Sequence, residues 1–242
     1  MFSQVRILAL ALALVASAGC FNAGAAGPQA DTSAEAGAVT VGQVMVIGDS
    51  ISLGYGVLGE GPYCSGAAEF DDPGRAYPAI FTRSLGAELH LRARSGMGLV
   101  RNFNGSGGVT ALELLDQTEF PVDLDLAIIH LGTNDFYAHD PGILFENTYD
   151  LLLDDLRRRY PDVSILVLSG PMLSGDDREN FDSAVSRVAE RQHSKGASVT
   201  HILLSASQKE EGRYGCDWHP GIATQQQVAE VILERILHEK KR

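Results

Sequence analysis

The chain has 242 residues, of which 45% are hydrophobic and 21% are charged, a composition that excludes a disordered or fibrous protein. Its formal net charge is −12 at pH 7, and a surface this acidic repels phosphate backbones, which argues against a nucleic-acid partner. Only the first 19 residues look membrane-directed, which excludes a multi-span membrane protein.

The N-terminus has the pattern of an export signal. One arginine precedes an apolar run that is too short to span a bilayer. Residues 16–18 and 23–25 both fit an A-x-A cleavage site, whereas Ala18-Gly19-Cys20 resembles the lipobox of bacterial lipoproteins. We expect residues 1–19 to be a signal peptide, with Cys20 as the candidate for lipidation. The protein would then reach the bacterial periplasm or cell surface, or be secreted if it is cut at the other sites.

Residues 20–40 have the composition of a flexible linker. They are rich in Ala and Gly, and they show no hydrophobic periodicity. The sequence therefore predicts a single folded domain over residues 41–242. On this interpretation the only membrane contact is through an N-terminal lipid anchor.

The folded part alternates between strand and helix patterns. Continuous apolar runs closed by small or polar residues predict buried parallel strands, and they occur at residues 43–47, 124–131, 163–168 and 199–204. Residues 87–93 instead alternate apolar and polar side chains, which predicts a strand near a sheet edge. Helical patterns cover residues 75–85, 109–117, 142–159, 178–195 and 221–240. This alternation predicts a three-layer α/β fold with a mostly parallel sheet, whose sites lie at the carboxyl ends of the strands.

Ser50 directly follows the first apolar run, in Gly48-Asp49-Ser50. At a strand-to-helix turn its hydroxyl can point out of the sheet, and its own N–H lies near a helix N-terminus, which suits a developing oxyanion. A serine hydroxyl is a poor nucleophile at neutral pH, so it needs a base. Ser50 is therefore the candidate nucleophile.

His219 is the best candidate base among seven histidines. It lies in Asp217-Trp218-His219-Pro220, just before the final helical pattern. The Asp217 carboxylate, two residues upstream, could reach the imidazole Nδ1–H, which would fix the tautomer and stabilise the imidazolium. Ser50, Asp217 and His219 thus form a candidate catalytic triad, although the G-x-S-x-G elbow of common α/β hydrolases is absent.

Two further polar clusters could stabilise an oxyanion. Asn134 ends another strand in Gly132-Thr133-Asn134-Asp135, where its amide is a donor near the top of the sheet. Gly96 follows the alternating strand, and a glycine there offers a bare backbone N–H close to a ligand. Asp49 and Asp135 are interpreted as side chains that brace loops.

Together these motifs resemble the SGNH (GDSL-type) hydrolase superfamily. Ser50, Gly96 and Asn134 match its first three blocks, and Asp217 with His219 matches the last one, with one residue fewer between them. The resemblance implies a flavodoxin-like α/β/α sandwich with a five-stranded parallel sheet. It also implies that Ser50 is acylated, that His219 is the base, and that Ser50, Gly96 and Asn134 form the oxyanion hole, with no cofactor and no metal.

A narrower likeness is to family two carbohydrate esterases, which remove acetyl groups from plant polysaccharides. It is carried by residues 47–56, 95–102, 131–136 and 217–220. That likeness implies an acylated small molecule or an oligo- or polysaccharide as the partner. The N-terminal β-sandwich domain usual in that family would be missing here. Some members of that family work without the acidic residue of the triad, so this likeness also allows a mechanism in which Asp217 is not the catalytic acid.

Other residues near these motifs allow two interpretations each. The weak candidates for substrate binding are Tyr55, Arg101, Phe136 and Trp218, whose alternatives are loop packing for the aromatic rings and a carboxylate partner for the arginine. Cys64 and Cys216 either pair as a disulfide in an oxidising compartment or are two buried small hydrophobic residues.

The main hypothesis is a serine esterase that acts on short acyl groups, with acetyl on a carbohydrate as the expected substrate. Alternatives are a general short-chain esterase or lysophospholipase-like lipase of the same superfamily, and a non-catalytic lipoprotein that binds polysaccharide. A metal-dependent phosphoesterase would also contain G-D and N-D blocks, but no D-x-H sequence lies upstream of Gly48-Asp49.

Overall fold

The computed structural model describes residues 41–64, 68–205 and 213–239. The expected signal peptide, the linker and Cys20 lie outside these residues. Within them a single parallel sheet has the strand order β2-β1-β3-β4-β5. The strands are β1 (Gln43–Gly48), β2 (Glu88–Ala93), β3 (Leu126–His130), β4 (Ser164–Ser169) and β5 (Val199–Leu203).

Helices cover both faces of the sheet and complete the three-layer α/β/α sandwich, which confirms the predicted fold. Helices α2 and α7 belong to the core on one face, and α3, α5 and α6 belong to the core on the other. None of the described helices is long and apolar enough to cross a membrane. The helices are α1 (Ser50–Leu53), α2 (Tyr77–Leu85), α3 (Ala111–Asp116), α4 (Thr133–Phe136), α5 (Ile143–Arg159), α6 (Gly175–Ser194) and α7 (Ile222–Glu239).

Strand β1 is continuously apolar because both of its faces are buried. Val44 and Val46 point into the α2/α7 core, and Met45 and Ile47 point into the opposite core. Strand β2 differs because it forms one edge of the sheet, as its alternating pattern predicted. Its leucines pack against the α2/α7 core, and its polar residues take the other positions.

The register of the sheet brings the carboxyl ends of three strands together. Gly48, the last residue of β1, lies between Ala93 at the end of β2 and His130 at the end of β3. The loops that follow these three strands therefore start side by side. Ser50, Gly96 and Asn134 all stand within the first few residues of those loops.

Candidate active site

Ser50 is the first residue of α1, two residues after β1 ends. The helix begins there because the Asp49 side chain caps it, with Oδ1 accepting from the N–H of Ile51 at 2.9 Å. Ser50 is buried, and it is one of the residues that line the cleft. The sharp strand-to-helix turn thus presents the hydroxyl at the carboxyl end of the sheet.

The structure brings Ser50 and His219 into hydrogen-bond contact across 169 positions of sequence. The Ser50 Oγ and the His219 Nε2 are 2.8 Å apart. On the other side of the ring, Nδ1 lies 3.2 Å from the backbone carbonyl oxygen of Asp217 and donates to it. Because Nδ1 donates to a carbonyl, Nε2 is left as the acceptor that faces the serine hydroxyl. Ser50 and His219 therefore have the geometry that a nucleophile and its base require.

The carboxylate of Asp217 is not the group that faces the imidazole, and this differs from the triad expected from the sequence. Its Oδ2 accepts a hydrogen bond from the Tyr55 hydroxyl at 2.8 Å. Asp217 and Trp218 have φ values of 49° and 63°, a left-handed turn that directs the Asp217 carbonyl towards the ring. With only one residue between Asp217 and His219, this turn replaces the carboxylate by the carbonyl of the same residue.

The environment of His219 favours the neutral imidazole that a base requires. Burial lowers the pKa of His219 below its ordinary value of 6.5. The hydrogen bond to the Asp217 carbonyl and the charges of Asp217 and Asp71 act in the opposite direction, but burial outweighs them. At neutral pH the ring is therefore ready to accept the proton of Ser50.

Two backbone N–H groups beside the hydroxyl are free to receive an oxyanion. Within the described part of the chain, neither the N–H of Ser50 nor that of Gly96 donates a hydrogen bond. Gly96 has a φ of 72°, a left-handed conformation that glycine adopts without strain. A Cβ at this position would have space, since its nearest neighbour would be the Phe103 Cβ at 3.5 Å, so the backbone conformation is what requires glycine.

Asn134 reaches the same place, but both of its amide N–H groups already have protein acceptors. Nδ2 donates to the Asp49 Oδ2 at 3.0 Å and to the Met97 carbonyl oxygen at 2.8 Å. To serve an oxyanion, the amide must share or give up one of these two bonds. The residue also links three loops of the site, because Asp49 precedes Ser50 and Met97 follows Gly96.

Asp135 and Asp49 brace the site from beneath, as interpreted from the sequence. Asp135 is fully buried, and its carboxylate accepts from the N–H groups of Leu99, Val100 and Arg101, all at 2.8–2.9 Å. It thereby fixes the loop that carries Gly96. Burial raises the pKa of both carboxyls, that of Asp49 to about 7, and the charge of Asp135 adds to the effect on Asp49.

A disulfide ties the loop that carries the base to the loop that follows the nucleophile. Cys64 and Cys216 are bonded, with their Cα atoms 4.8 Å apart. Backbone bonds run alongside it, from the N–H of Cys216 to the Gly56 carbonyl at 2.9 Å and from the N–H of Asp217 to the Cys64 carbonyl at 3.2 Å. The disulfide thus lies three residues before His219 in sequence, next to the strained turn.

The paired residues open onto a cleft of about 800 Å³. Its lining includes two pairs of aromatic rings: Phe103 and Tyr137 have centroids 5.1 Å apart, and Tyr214 and Trp218 have centroids 5.4 Å apart. Flat apolar faces with polar edges of this kind suit sugar rings. Six lining residues were missed by sequence reasoning. Five of them follow strand β4, and the sixth lies in the loop just before Cys216. They are Pro171, Met172, Leu173, Ser174, Asp177 and Tyr214.

The four weak candidates for substrate binding divide into two groups. Tyr55 and Trp218 line the cleft. The prediction for Phe136 is wrong, because its ring is buried in the core against Phe145 and Phe181, where α4 packs on α5 and α6. Arg101 is not among the described residues that line the cleft, and its contact with Asp135 is made by the backbone N–H.

Comparison with known proteins relates this arrangement to a family. The model of the GDSL-like lipase/acylhydrolase family matches residues 46–227. The cellulase/esterase CelE of Acetivibrio thermocellus is 31% identical over 204 residues, which cover 80% of this chain and 25% of that protein. An acetylxylan esterase/glucomannan deacetylase of Cellvibrio japonicus is 27% identical over 171 residues, covering 63% of this chain and 46% of that protein.

Solved structures of family two carbohydrate esterases are similar to this chain in fold as well as in sequence. A family two carbohydrate esterase from Clostridium thermocellum, in complex with cellohexaose, superposes with a TM-score of 0.77 at 30% identity, over 82% of this chain and 64% of that one. A family 2 enzyme from Corynascus thermopiles with a carbohydrate binding domain gives 0.71 at 27% identity, over 81% and 65%. The chain thus spans less than two thirds of the length of these relatives. The matched region runs from the strand before Ser50 to beyond His219, and the chain belongs to the GDSL-like lipase/acylhydrolase family.

Proposed function

We propose that this chain is a serine esterase that hydrolyses short acyl esters, with acetyl groups on a carbohydrate as the substrate class. The observation that carries the proposal is the 2.8 Å contact between the Ser50 Oγ and the His219 Nε2, beside the unused N–H groups of Ser50 and Gly96. A nucleophile, a base and an oxyanion site are the three parts that acyl transfer requires.

In the acylation step, Ser50 attacks the carbonyl carbon of the ester while His219 takes the hydroxyl proton on Nε2. The carbonyl oxygen becomes an oxyanion, held by the N–H groups of Ser50 and Gly96 and by an amide hydrogen that Asn134 releases from one of its protein acceptors. The Asp217 carbonyl accepts from Nδ1 and keeps the imidazolium oriented. Collapse of the intermediate expels the alcohol, which takes its proton from His219.

Deacylation repeats these roles with water as the nucleophile. His219 removes a proton from water, which attacks the acyl group on Ser50, and the oxyanion returns to the same donors. The C–O bond to Ser50 then breaks, and the serine recovers its proton from His219. The free carboxylic acid leaves through the open cleft.

A carbohydrate as the alcohol is supported by the shape of the cleft and by the relatives. Aromatic rings line the same cleft as Ser50, and the acidic side chains of Asp177 and Asp217 make this cleft a poor site for an anionic polymer. The relatives include an acetylxylan esterase/glucomannan deacetylase, and a family two carbohydrate esterase bound to cellohexaose. Neutral acetylated glycans such as xylan and glucomannan are therefore the first substrates to test. Tyr55 and Trp218 are the residues proposed to contact them.

Export also belongs to the proposal, because residues 1–19 carry a signal-like sequence and Cys20 completes a lipobox-like one. Expression in a bacterial host, followed by fractionation and mass spectrometry of the mature N-terminus, tests it. A diacylglyceryl group on Cys20, and release from membranes on Cys20→Ser, are the expected results. A mature N-terminus beyond residue 20 would contradict the lipid anchor.

The function is tested with a substrate panel and an active-site label. We expect hydrolysis of p-nitrophenyl acetate in preference to octanoate, release of acetate from acetylated xylan or glucomannan, and fluorophosphonate labelling at Ser50. The Ser50→Ala variant is the control, and its circular dichroism spectrum should match that of the unmodified protein, which shows that it is folded.

Other outcomes separate the alternatives. Preference for long acyl chains would replace the carbohydrate proposal by a lipase. Hydrolysis of phosphate esters that stops when a chelator is added would favour a metal-dependent phosphoesterase. If neither turnover nor fluorophosphonate labelling is seen while polysaccharide is still bound, the esterase proposal is contradicted and the non-catalytic binding lipoprotein is favoured.

A further inference from the structure

Tyr55 touches both the acid and the base of the expected triad, which do not meet each other through side chains. Its hydroxyl donates to the Asp217 Oδ2 at 2.8 Å, and its ring lies against the His219 imidazole, with centroids 4.4 Å apart and planes at 46°. The Asp217 carboxylate therefore acts on His219 through its charge and through the position of its own backbone, and not through a bond to Nδ1.

The backbone at Asp217 needs support of this kind. Asp217 and Trp218 are consecutive non-glycine residues with positive φ, a conformation that a Cβ disfavours and that persists only where the surroundings hold it. In this conformation the Asp217 carbonyl accepts from the His219 Nδ1 at 3.2 Å. If the turn relaxed to an ordinary conformation, the carbonyl would rotate away and the imidazole would lose the acceptor that fixes its tautomer.

Among the described residues, one segment that gives such support is residues 54–64, which we name the clamp loop. It holds residues 215–220, the base loop, by the Cys64–Cys216 disulfide and by backbone bonds from the N–H groups of Cys216 and Asp217. The two loops are in close contact, since a Cβ on Gly56 would come within 2.8 Å of the Cys216 Cβ. Of the clamp-loop side chains, Tyr55 is the one that reaches both the strained residue and the base.

We propose that Tyr55 is a positioning residue for the base: its hydroxyl anchors the Asp217 carboxylate, and this anchor holds the Asp217 carbonyl against the His219 Nδ1. The inference rests on the proposed esterase function. It assigns the Asp217 side chain to the same task, as the acceptor that Tyr55 holds, in addition to the charge by which this carboxylate raises the pKa of His219.

The first test is a set of four variants, assayed on a small acetate ester. We expect Tyr55→Phe, which keeps the ring, to lower kcat about tenfold with little change in KM. Asp217→Ala should lower kcat by a similar factor, and the double variant by no more than either single one, because both remove the same bond. Asp217→Asn should recover most of what Asp217→Ala loses, because an amide oxygen still accepts from the tyrosine.

A direct triad gives the opposite pattern. There Asp217→Asn would be as defective as Asp217→Ala, and Tyr55→Phe would be as active as the unmodified protein; that result, or additive losses in the double variant, overturns the proposal. The matched control is Tyr160→Phe, which likewise removes one tyrosine hydroxyl that donates a hydrogen bond. The acceptor there is the backbone carbonyl of Pro121, and Tyr160 lies at the C-terminal end of α5, away from the cleft. This variant should leave kcat unchanged.

The second test does not depend on turnover. In a protein labelled with ¹⁵N-histidine, the His219 Nδ1–H signal should be protected from exchange with water, and Tyr55→Phe and Asp217→Ala should both speed its exchange. If no ester is hydrolysed and these signals still change together, the proposed function fails while the positioning role stands. An exchange rate unaltered in both variants overturns the positioning role.

Discussion

Ser50 and Asn134 stand just after two neighbouring strands at the centre of the sheet, whereas His219 stands on a loop outside it. The half of the site that carries the proposed nucleophile Ser50, the nucleophile half, is held by sheet register and by the buried Asp49 and Asp135. The oxygens of these two carboxyls accept from the surrounding backbone and from Asn134. The base half instead depends on a disulfide, two backbone bonds and the contact with Tyr55.

This difference indicates where each half can fail. A residue held by the packing of a central strand moves only if the core moves, because interiors are close-packed. A residue held on a loop by a few discrete bonds moves when any of them is lost. Changes to single side chains near His219 should therefore alter catalysis with little loss of stability, the disulfide excepted, while changes near Ser50 should couple activity to stability.

The largest effect is expected where the two halves meet. Replacing either partner of the 2.8 Å contact, by Ser50→Ala or His219→Ala, should lower kcat by at least about 10⁴-fold, because the hydroxyl and the imidazole act as one unit. The double variant should be no worse than either single one. Steady-state kinetics on p-nitrophenyl acetate measures this, and a His219→Ala variant with substantial activity would mean that another group is the base.

The disulfide separates the two halves next. The Cys64→Ser/Cys216→Ser double variant should lower the free energy of unfolding by up to about 5 kcal/mol, since the bond closes a loop between residues 152 apart. Denaturant titrations measure this loss, and kcat should fall even under conditions where the variant is fully folded. Treatment with a thiol reductant should reproduce both effects in the unmodified protein and change nothing more in the variant. Unchanged kcat would show that the other ties suffice to hold the base.

In the nucleophile half, Asn134→Ala should lower kcat by about 10²–10³-fold if the amide serves the oxyanion. It also removes the donor to Asp49 and to the Met97 carbonyl, so a loss of stability should accompany it. Comparing kcat with KM distinguishes the two effects, because oxyanion stabilisation acts on kcat. A variant that is destabilised but has normal kcat would limit Asn134 to linking the loops.

The smallest effect concerns the pH profile. Burial lowers the pKa of His219, so the acid limb of kcat/KM should have its midpoint below 6.5, with activity lost as the ring takes up a proton at lower pH. The charges of Asp217 and Asp71 raise this pKa, so Asp217→Asn should move the midpoint to still lower pH. A midpoint above 6.5 would contradict the role of burial.

Much of the fold and the central site could be predicted from the sequence, because the relevant signals are local. Continuous apolar runs identified β1, β3, β4 and β5, and the alternation of residues 87–93 identified the edge strand β2. The run at residues 199–204 predicts a buried strand, but β5 is the other edge of the sheet and is only partly buried. The polar residues after the runs identified the carboxyl-end cluster. Helix α6 begins at Gly175 and not at residue 178, because Ser174 is its N-cap residue and Asp176 and Asp177 occupy its first turn.

What could not be predicted depends on backbone conformation and on distant packing. The left-handed turn at Asp217 leaves no mark in the composition, and it turned an expected carboxylate contact into a carbonyl contact. Phe136 follows the Asn134 motif, so its place in the core could only be seen once α4, α5 and α6 were packed together. The cleft wall after β4 has no motif of its own.

The buried Asp49 has a consequence for how the stability of the protein depends on pH. Its pKa of about 7 in the folded protein is above its ordinary value of 3.8, so its contribution to stability is full below pH 3.8 and is lost as the pH rises through 7. His219 has the opposite pH requirement, because the imidazole must be neutral to act as the proposed base and is protonated as the pH falls. Lowering the pH thus protonates the proposed base, whereas raising it towards 7 removes the stabilising contribution of the carboxyl next to Ser50, so the two groups respond in opposite directions over the same acidic-to-neutral range.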